Sequence, residues 1–416
     1  MVPKKQQKLE NPLARFEQIL RRASDKKASD IHLKAGLPPI VRIFGSLYYL
    51  SDEAGDVIAR LTHSDLNDFC YQLMNERQRV RYENGEEVDL AHEILGIGRF
   101  RINICQQRSF PRLVCRLIPE NIRTLSELGL PPVVEDLTLS GRGLILVTGA
   151  TGTGKSTTLA AMIDYIARNS SSHIVTLEDP IEYSFKDRKS IVTQREVGID
   201  TKDFSKALKY ALRQDPDVIL VGEMRDEETI LMALSAAETG HLVLSTLHTN
   251  DAVETINRVI GSVSSGYQQQ VRTQLAAVLV GVVSQRLILR ADGRGRVPSL
   301  EILIKNQRVK DMILDPKRTL DLHRAILESP DLGMQTFDGN LMQLFKEGII
   351  TKEEALKNCT NIQDFQLRLQ GVEAGIVVEK AKAQEVSRTQ RIQEALKSEK
   401  LPPPIIELDD SSQKKK

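Results

Sequence analysis

Residues 149–156, Gly-Ala-Thr-Gly-Thr-Gly-Lys-Ser, have the types and spacing that hold a phosphate chain. The glycines let the backbone curl until successive N–H groups point at phosphate oxygens. Lys155 adds a fixed positive charge, and Ser156 offers a hydroxyl to Mg²⁺. Gly149, Ala150, Thr151, Gly152, Thr153, Gly154, Lys155, Ser156 and Thr157 are therefore the candidate nucleotide contacts. Such a loop works only between a strand and a helix. The apolar run 144–147 and the helix-forming run 155–168 supply both, so the chain is expected to bind a nucleoside triphosphate.

Three further clusters carry chemistry. Val218-Ile219-Leu220-Val221-Gly222-Glu223 is an apolar strand ending in a carboxylate, a pattern that positions Mg²⁺ or polarises an attacking water. Glu223 is thus the first catalytic candidate and, with Ser156, a candidate Mg²⁺ contact; the plainer alternative is an acid at a helix N-terminus. Glu178 and Glu182 follow a second strand, with Pro180 turning the chain out of regular structure; they serve either the same sheet edge or solubility. His248, at the end of a third strand, is placed to sense a γ-phosphate. His241, at the other end, is structural or at a subunit contact, and the two lie too far apart to share a metal.

Arginines form the remaining candidates. Phe100, Ile102 and Ile104 alternate with Arg99, Arg101 and Asn103. After a turn expected at Ser109-Phe110-Pro111, Leu113, Cys115 and Leu117 alternate with Arg112, Val114 and Arg116. Strand period puts these arginines on one polar face, either an ordinary solvated face or a set of phosphate donors.

The elements that must position these residues are legible in outline. At 416 residues the chain has room for two or three domains, and 57 Lys plus Arg against 56 Asp plus Glu leave no overall field toward nucleic acid or an anionic membrane. A nucleic-acid motor would need a local basic stripe, and aromatic residues at 4% with no tryptophan make stacking platforms scarce. Cys70, Cys105, Cys115 and Cys359 show no metal-ligand spacing and read as thiols in a reducing cytosol. Residues 1–6 lack an apolar signal region, and the longest apolar run, 275–283, is too short to span a bilayer.

Asn11-Pro12 opens a helix with Leu13, Phe16, Ile19, Leu20 and Ala23 on one face. Strands are expected at 31–33, 40–44 and 88–91, and a helix at 64–74, giving an α+β domain over residues 1–121. From about residue 125 to 291, strands at 144–147, 173–177, 218–221 and 242–245 alternate with helices, the rhythm of a parallel sheet covered on both faces. Gly293-Arg294-Gly295 marks a turn between two strands, and residues from 306 onward turn helical, with breaks at Gly333 and Gly348. The expected organisation is an N-terminal domain at 1–121, a flexible linker at 122–143, a nucleotide domain at 144–304, a helical region at 305–371, and a charged, mobile or partner-binding tail at 372–416.

Together these motifs resemble the PilT/PilU family of type IV pilus retraction ATPases, within the secretion-system motor ATPases. The resemblance runs from about residue 28 to 369. Ala28-Ser29-Asp30-Ile31-His32-Leu33 is similar to the entry of the family's N-terminal domain, the 176–183 stretch to its aspartate box, 215–226 to its Walker B region and 239–251 to its histidine box. The resemblance implies a RecA-like P-loop domain, a PAS-like α+β N-terminal domain and a ring of six identical subunits with ATP and Mg²⁺ between the two domains. It implies that Glu223 and Glu178 share water activation and metal positioning, that Arg101, Arg112 and Arg116 bring positive charge to the phosphates, and that His248 couples nucleotide state to domain movement.

It also implies a cytoplasmic motor held at the inner membrane through a pilus platform protein, with no nucleic-acid partner. The A-I-R-N-L-I-R-E stretch of the PilT branch is replaced here by Asn306-Gln307-Arg308-Val309-Lys310-Asp311-Met312-Ile313, a departure that leans toward the PilU-like branch and a second retraction ATPase as partner. An accessory ring subunit that binds ATP without driving retraction is one alternative. Pilus-assembly or type II secretion ATPases are another, but they carry a tetracysteine insertion that the four scattered cysteines do not form.

Overall fold

The structure, a computed structural model, describes residues 11–43, 46–52, 54–118 and 121–373, in two compact units that part at Glu120/Asn121. Phe44 and the tail beyond residue 373, both subjects of expectations above, lie outside the described residues.

In the first unit the order is α1 (Pro12–Asp25), β1 (Asp30–Lys34), β2 (Ile40–Ile43), β3 (Ser46–Tyr49), α2 (His63–Leu73), α3 (Glu76–Glu83), β4 (Val88–Ile94), β5 (Gly98–Gln107) and β6 (Phe110–Ile118). Asn11 caps α1 by accepting from the Leu13 N–H, and Pro12 takes the first helical position, as the sequence suggests. The strands form one antiparallel sheet in the order β3-β2-β1-β6-β5-β4. Its inner face packs Ile31, Leu33, Phe100, Ile102, Ile104, Leu113 and Cys115 against Phe16 and Leu20 of α1 and Leu66 and Phe69 of α2.

One local expectation is corrected. The β5–β6 turn is Arg108-Ser109, not Ser109-Phe110-Pro111: both residues have positive φ (52° and 63°), the geometry of a two-residue hairpin, so Phe110 and Pro111 belong to β6.

The second unit runs α4 (Val133–Thr138), β7 (Gly143–Thr148), α5 (Lys155–Asn169), β8 (His173–Glu178), β9 (Ile191–Glu196), α6 (Phe204–Ala211), β10 (Val218–Val221), α7 (Glu227–Glu238) and β11 (Leu242–Leu247). It continues through α8 (Ala252–Gly261), α9 (Gln268–Val278), β12 (Leu279–Leu289), β13 (Arg296–Ile304), α10 (Gln307–Leu314), α11 (Leu322–Leu327), α12 (Phe337–Lys346), α13 (Lys352–Asn358) and α14 (Ile362–Glu373).

Seven strands lie in the order β13-β12-β7-β11-β10-β8-β9. All neighbours are parallel except β12 and β13, which form the hairpin closed at 293–295. Successive side chains of the buried strands feed opposite layers: Leu144 and Leu146 pack with α6–α11, whereas Ile145 and Val147 pack with α4 and α5. A third cluster joins Ile288 and Val297 to Leu341, Phe365 and Leu369 of the helical region.

One more expectation changes. The stretch 122–143, read as a flexible linker, is part of the second unit's core: Leu125, Leu130, Val134 and Leu137 are buried beside Ile145, Leu159 and Ile302. Pro131-Pro132 follows a turn at 125–129 and leads into α4 instead of loosening the chain. The apolar run 275–283 is split, its first part closing α9 and the rest opening β12, because it meets apolar partners in both places.

Candidate nucleotide-binding site

The phosphate loop leaves the carboxyl end of β7 as its motif requires. Gly149 sits at φ 146°, and a Cβ there would lie 2.5 Å from the Gln285 carbonyl oxygen and 2.6 Å from Thr153 Oγ1. At Gly154 (φ 92°) a Cβ would lie 2.9 Å from Gln285 Nε2. Only glycine fits either position. Gln285 on β12 braces the far end of the loop: its amide nitrogen donates to the Thr153 carbonyl at 2.8 Å, and its amide oxygen accepts from Thr158 Oγ1 at 2.8 Å.

Lys155 starts α5, and its ammonium donates to the carbonyls of Gly149 (2.7 Å) and Ala150 (3.0 Å). Burial lowers its pKa, opposed by the charges of Glu223 and Glu182. The N–H groups at the start of α5 and this ammonium form a concentrated donor set for anionic oxygens.

The acids come from the next strands. Glu178 closes β8 and is buried at 9% exposure. Burial pushes its carboxyl up toward the neutral form, while Thr176 Oγ1 at 2.7 Å and Gln194 Nε2 at 3.0 Å donate to the same oxygen and favour the anion. The Asp179–Pro180 peptide that follows is cis.

Glu223 lies two residues beyond β10. Gly222 is fixed between the neighbouring strands, its N–H donating to Leu177 O at 2.8 Å and its carbonyl accepting from Thr246 Oγ1 at 2.6 Å. Glu223 accepts from Arg225 Nε at 2.8 Å, and His248 Nε2 stands 3.4 Å from its other oxygen. Helix capping falls to Asp226, which accepts from the Thr229 N–H, so Glu223 is free of the role that its plainer reading gave it. His241 bonds the Ala236 carbonyl through Nδ1 at 2.9 Å, at the other end of its strand.

The loop, Glu178, Glu223 and His248 line one cleft of about 640 Å³, a size suited to a nucleotide. Tyr183, whose hydroxyl bonds Thr157 Oγ1 at 2.8 Å, and Arg123, Phe204 and Arg296 line it too. The sequence reading missed these last residues and Gln285, since only the fold brings them to the loop. No cluster of three or more His, Cys, Asp or Glu side chains among the described residues forms a metal cage. The donor set, one hydroxyl at Ser156 and one carboxylate at Glu223, suits an Mg²⁺ ion held chiefly by phosphates.

Arg101, Arg112 and Arg116 belong to the first unit, on the sheet face opposite its core. Arg101 is paired directly across from Arg116, and Cys105 from Arg112. Arg116 donates to Asp30 at 2.7 Å and Arg101 lies 3.5 Å from Asp89, whereas the buried Nε of Arg112 has no hydrogen-bond partner among the described residues. His32 shares this face, and burial followed by Arg112 lowers its pKa. Two of the three arginines are therefore paired with acids, and Arg112 keeps an unused buried donor.

Comparison with known proteins agrees with this architecture. The family described as Type II/IV secretion system protein matches residues 6–312. The type IV pilus retraction ATPase PilT of Pseudomonas aeruginosa is 42% identical over 348 residues, 84% of this chain and 99% of that protein. The type IV pilus ATPase PilU of the same organism is 41% identical over 354 residues, covering 85% and 91%. Among solved structures, the pilus retraction motor PilT with bound ADP superposes with a TM-score of 0.76 at 46% identity, over 83% of this chain and 97% of that one. The Legionella pneumophila ATPase DotB follows with a TM-score of 0.68 at 28% identity, covering 86% and 96%. The chain belongs to the Type II/IV secretion system protein family, as a PilT/PilU-like P-loop ATPase.

Proposed function

We propose that this chain is a hexameric motor that hydrolyses Mg-ATP in the cleft at the carboxyl edge of β7, β8, β10 and β11 to retract type IV pili. The observation that carries this reading is the convergence of the Lys155 loop with Glu223, Glu178 and His248 in one cleft. ATP supplies the phosphoanhydride bond, and Mg²⁺ bound with it neutralises phosphate charge.

The chain's own residues do the rest. Loop N–H groups and Lys155 orient the phosphates, and Ser156 and Glu223 would hold the metal. Glu223 takes a proton from the attacking water once Arg225 and His248 release its carboxylate. Glu178, with its basicity raised by burial, aligns that water or the metal. Arg101, Arg112 and Arg116 draw the N-terminal unit onto the phosphates, His248 reports the γ-phosphate, and closure and reopening around the ring make the stroke. A cytoplasmic ring acting on an inner-membrane platform protein fits a chain in which, among the described residues, no helix is long and apolar enough to cross a membrane.

Purified protein should hydrolyse ATP only with Mg²⁺, and Lys155→Ala or Glu223→Ala should abolish turnover. Nucleotide binding without turnover in the parent would contradict the motor. A second reading, an accessory motor that works beside another retraction ATPase, is favoured by the departure at 306–313. Retraction measured after deletion of this gene, alone and beside a related motor, separates the two.

A further inference from the structure

Glu301 is a buried carboxyl that the mechanism above leaves unused. It lies near the middle of β13, 3% exposed, and its Oε1 accepts from the Ala252 N–H at 3.0 Å, the first residue of α8. The helix is thus held at its N-terminus by a side chain from the sheet in addition to its own cap, Asp251, which accepts from the Glu254 N–H. Three residues before Asp251 stands His248.

The same carboxylate ends a polar row that crosses the core. Glu301 is paired across the sheet with Ser284 of β12, and Ser284 with Thr148, the last residue of β7 before the phosphate loop. Thr148 and Ser284 share a hydrogen bond at 2.9 Å; Thr255 of α8 lies 3.4 Å from Thr148 and bonds the hydroxyl of Thr249 at 2.7 Å and the Asp251 carbonyl at 2.6 Å. Side chains from β7, β12, β13 and α8 therefore tie the base of the loop to the segment that carries His248.

We propose that Glu301 is a positioning residue for ATP turnover: its carboxylate, seated on the N-terminus of α8, fixes the His248 segment relative to the phosphate loop. The proposal rests on the cleft being the site of hydrolysis. The charged and titratable groups facing Glu301 are Asp251 ahead of α8, Arg286 on β12, Asp338 on α12 and His323 on α11, whose Nδ1 is 3.8 Å away. Burial and the two aspartates push its carboxyl up to about 7, against the Ala252 N–H and Arg286. The anion that grips α8 is therefore lost on mild acidification.

The test compares Glu301→Gln, which keeps an acceptor oxygen without the charge, with Glu301→Ala, which removes both. In Glu301→Gln the kcat at pH 8 should fall about tenfold with KM little changed, and its remaining activity should lose the step near pH 7 expected of the parent. Hydrogen exchange of the full-length protein gives a readout that needs no turnover: amides of residues 249–256 should exchange faster in both variants. Parent-like kcat and pH profile in Glu301→Gln, or unchanged exchange at 249–256, would overturn the proposal. A parent that binds nucleotide without hydrolysing it defeats the motor reading alone, and the exchange measurement still decides the role of Glu301.

Discussion

Glu223 and Glu301 are carboxylates in opposite settings, one lining the cleft and one buried in the core. Glu223 sits at the cleft with Arg225 and His248 beside it, and under the proposed mechanism it takes the proton of the attacking water, so Glu223→Gln should lower kcat by about 10²–10⁴ with nucleotide binding retained, measured by steady-state hydrolysis and by titration of a fluorescent nucleotide. Glu301 is held in the core at a cost to stability. Its folded-state pKa, near 7, lies above the ordinary 4.5, so the folded protein binds more protons than the unfolded chain between those values. The stability that Glu301 contributes falls as pH rises from about 4.5 to 7 and is flat above. Glu301→Gln should therefore be more stable than the parent at pH 8 by about 3 kcal/mol at most, and equal to it near pH 4, in denaturant titrations at the two pH values. A variant that gains stability while losing turnover is the signature of a group kept for function. Glu223, Glu178 and His248 were legible because each stands at or just beyond the carboxyl end of an apolar strand. Gln285 and Glu301 were not legible, because each serves the site from far along the chain and its purpose exists only once β12 and β13 lie beside β7.

At the scale of elements, α4 is where the sequence reading and the structure part most. The sequence reads residues 122–143, with Pro131-Pro132, as a flexible linker, yet Leu137 lies 4% exposed, and its methyl groups stand 3.2 and 3.3 Å from where a Cβ on Gly281 of β12 would be. Leu137→Ala should destabilise the second unit by about 2–4 kcal/mol, where a side chain on a flexible linker would change stability by less than about 0.5 kcal/mol; chemical denaturation of the full chain decides between them. The strands of the parallel core were readable because each is a short apolar run bounded by turn residues. The strands β3 and β9 were not: half-buried and exposed residues dominate both, so neither carries the apolar run that marks a strand. The split of 275–283 between α9 and β12 has the same origin, since an all-apolar run has no period and only its partners decide.

At the scale of the whole molecule, each of the two units has its own hydrophobic core, Phe16, Leu20 and Phe100 in one and Leu144, Val175 and Ile219 in the other. Separate cores permit separate unfolding transitions. Nucleotide held only by the cleft would stabilise the second unit alone, by about 2.7 kcal/mol at a hundredfold excess over Kd, and leave the first transition where it was. A nucleotide that also engages Arg101, Arg112 and Arg116 must stabilise the first unit too, because unfolding it would forfeit those contacts. Calorimetry of the assembled protein with a non-hydrolysable ATP analogue and Mg²⁺ should therefore move both transitions, and replacing the three arginines together should abolish the shift of the first while leaving that of the second. A first transition that ignores the nucleotide in the parent protein would mean that the arginine face serves a partner other than the phosphates, and the two-sided clamp would have to be abandoned.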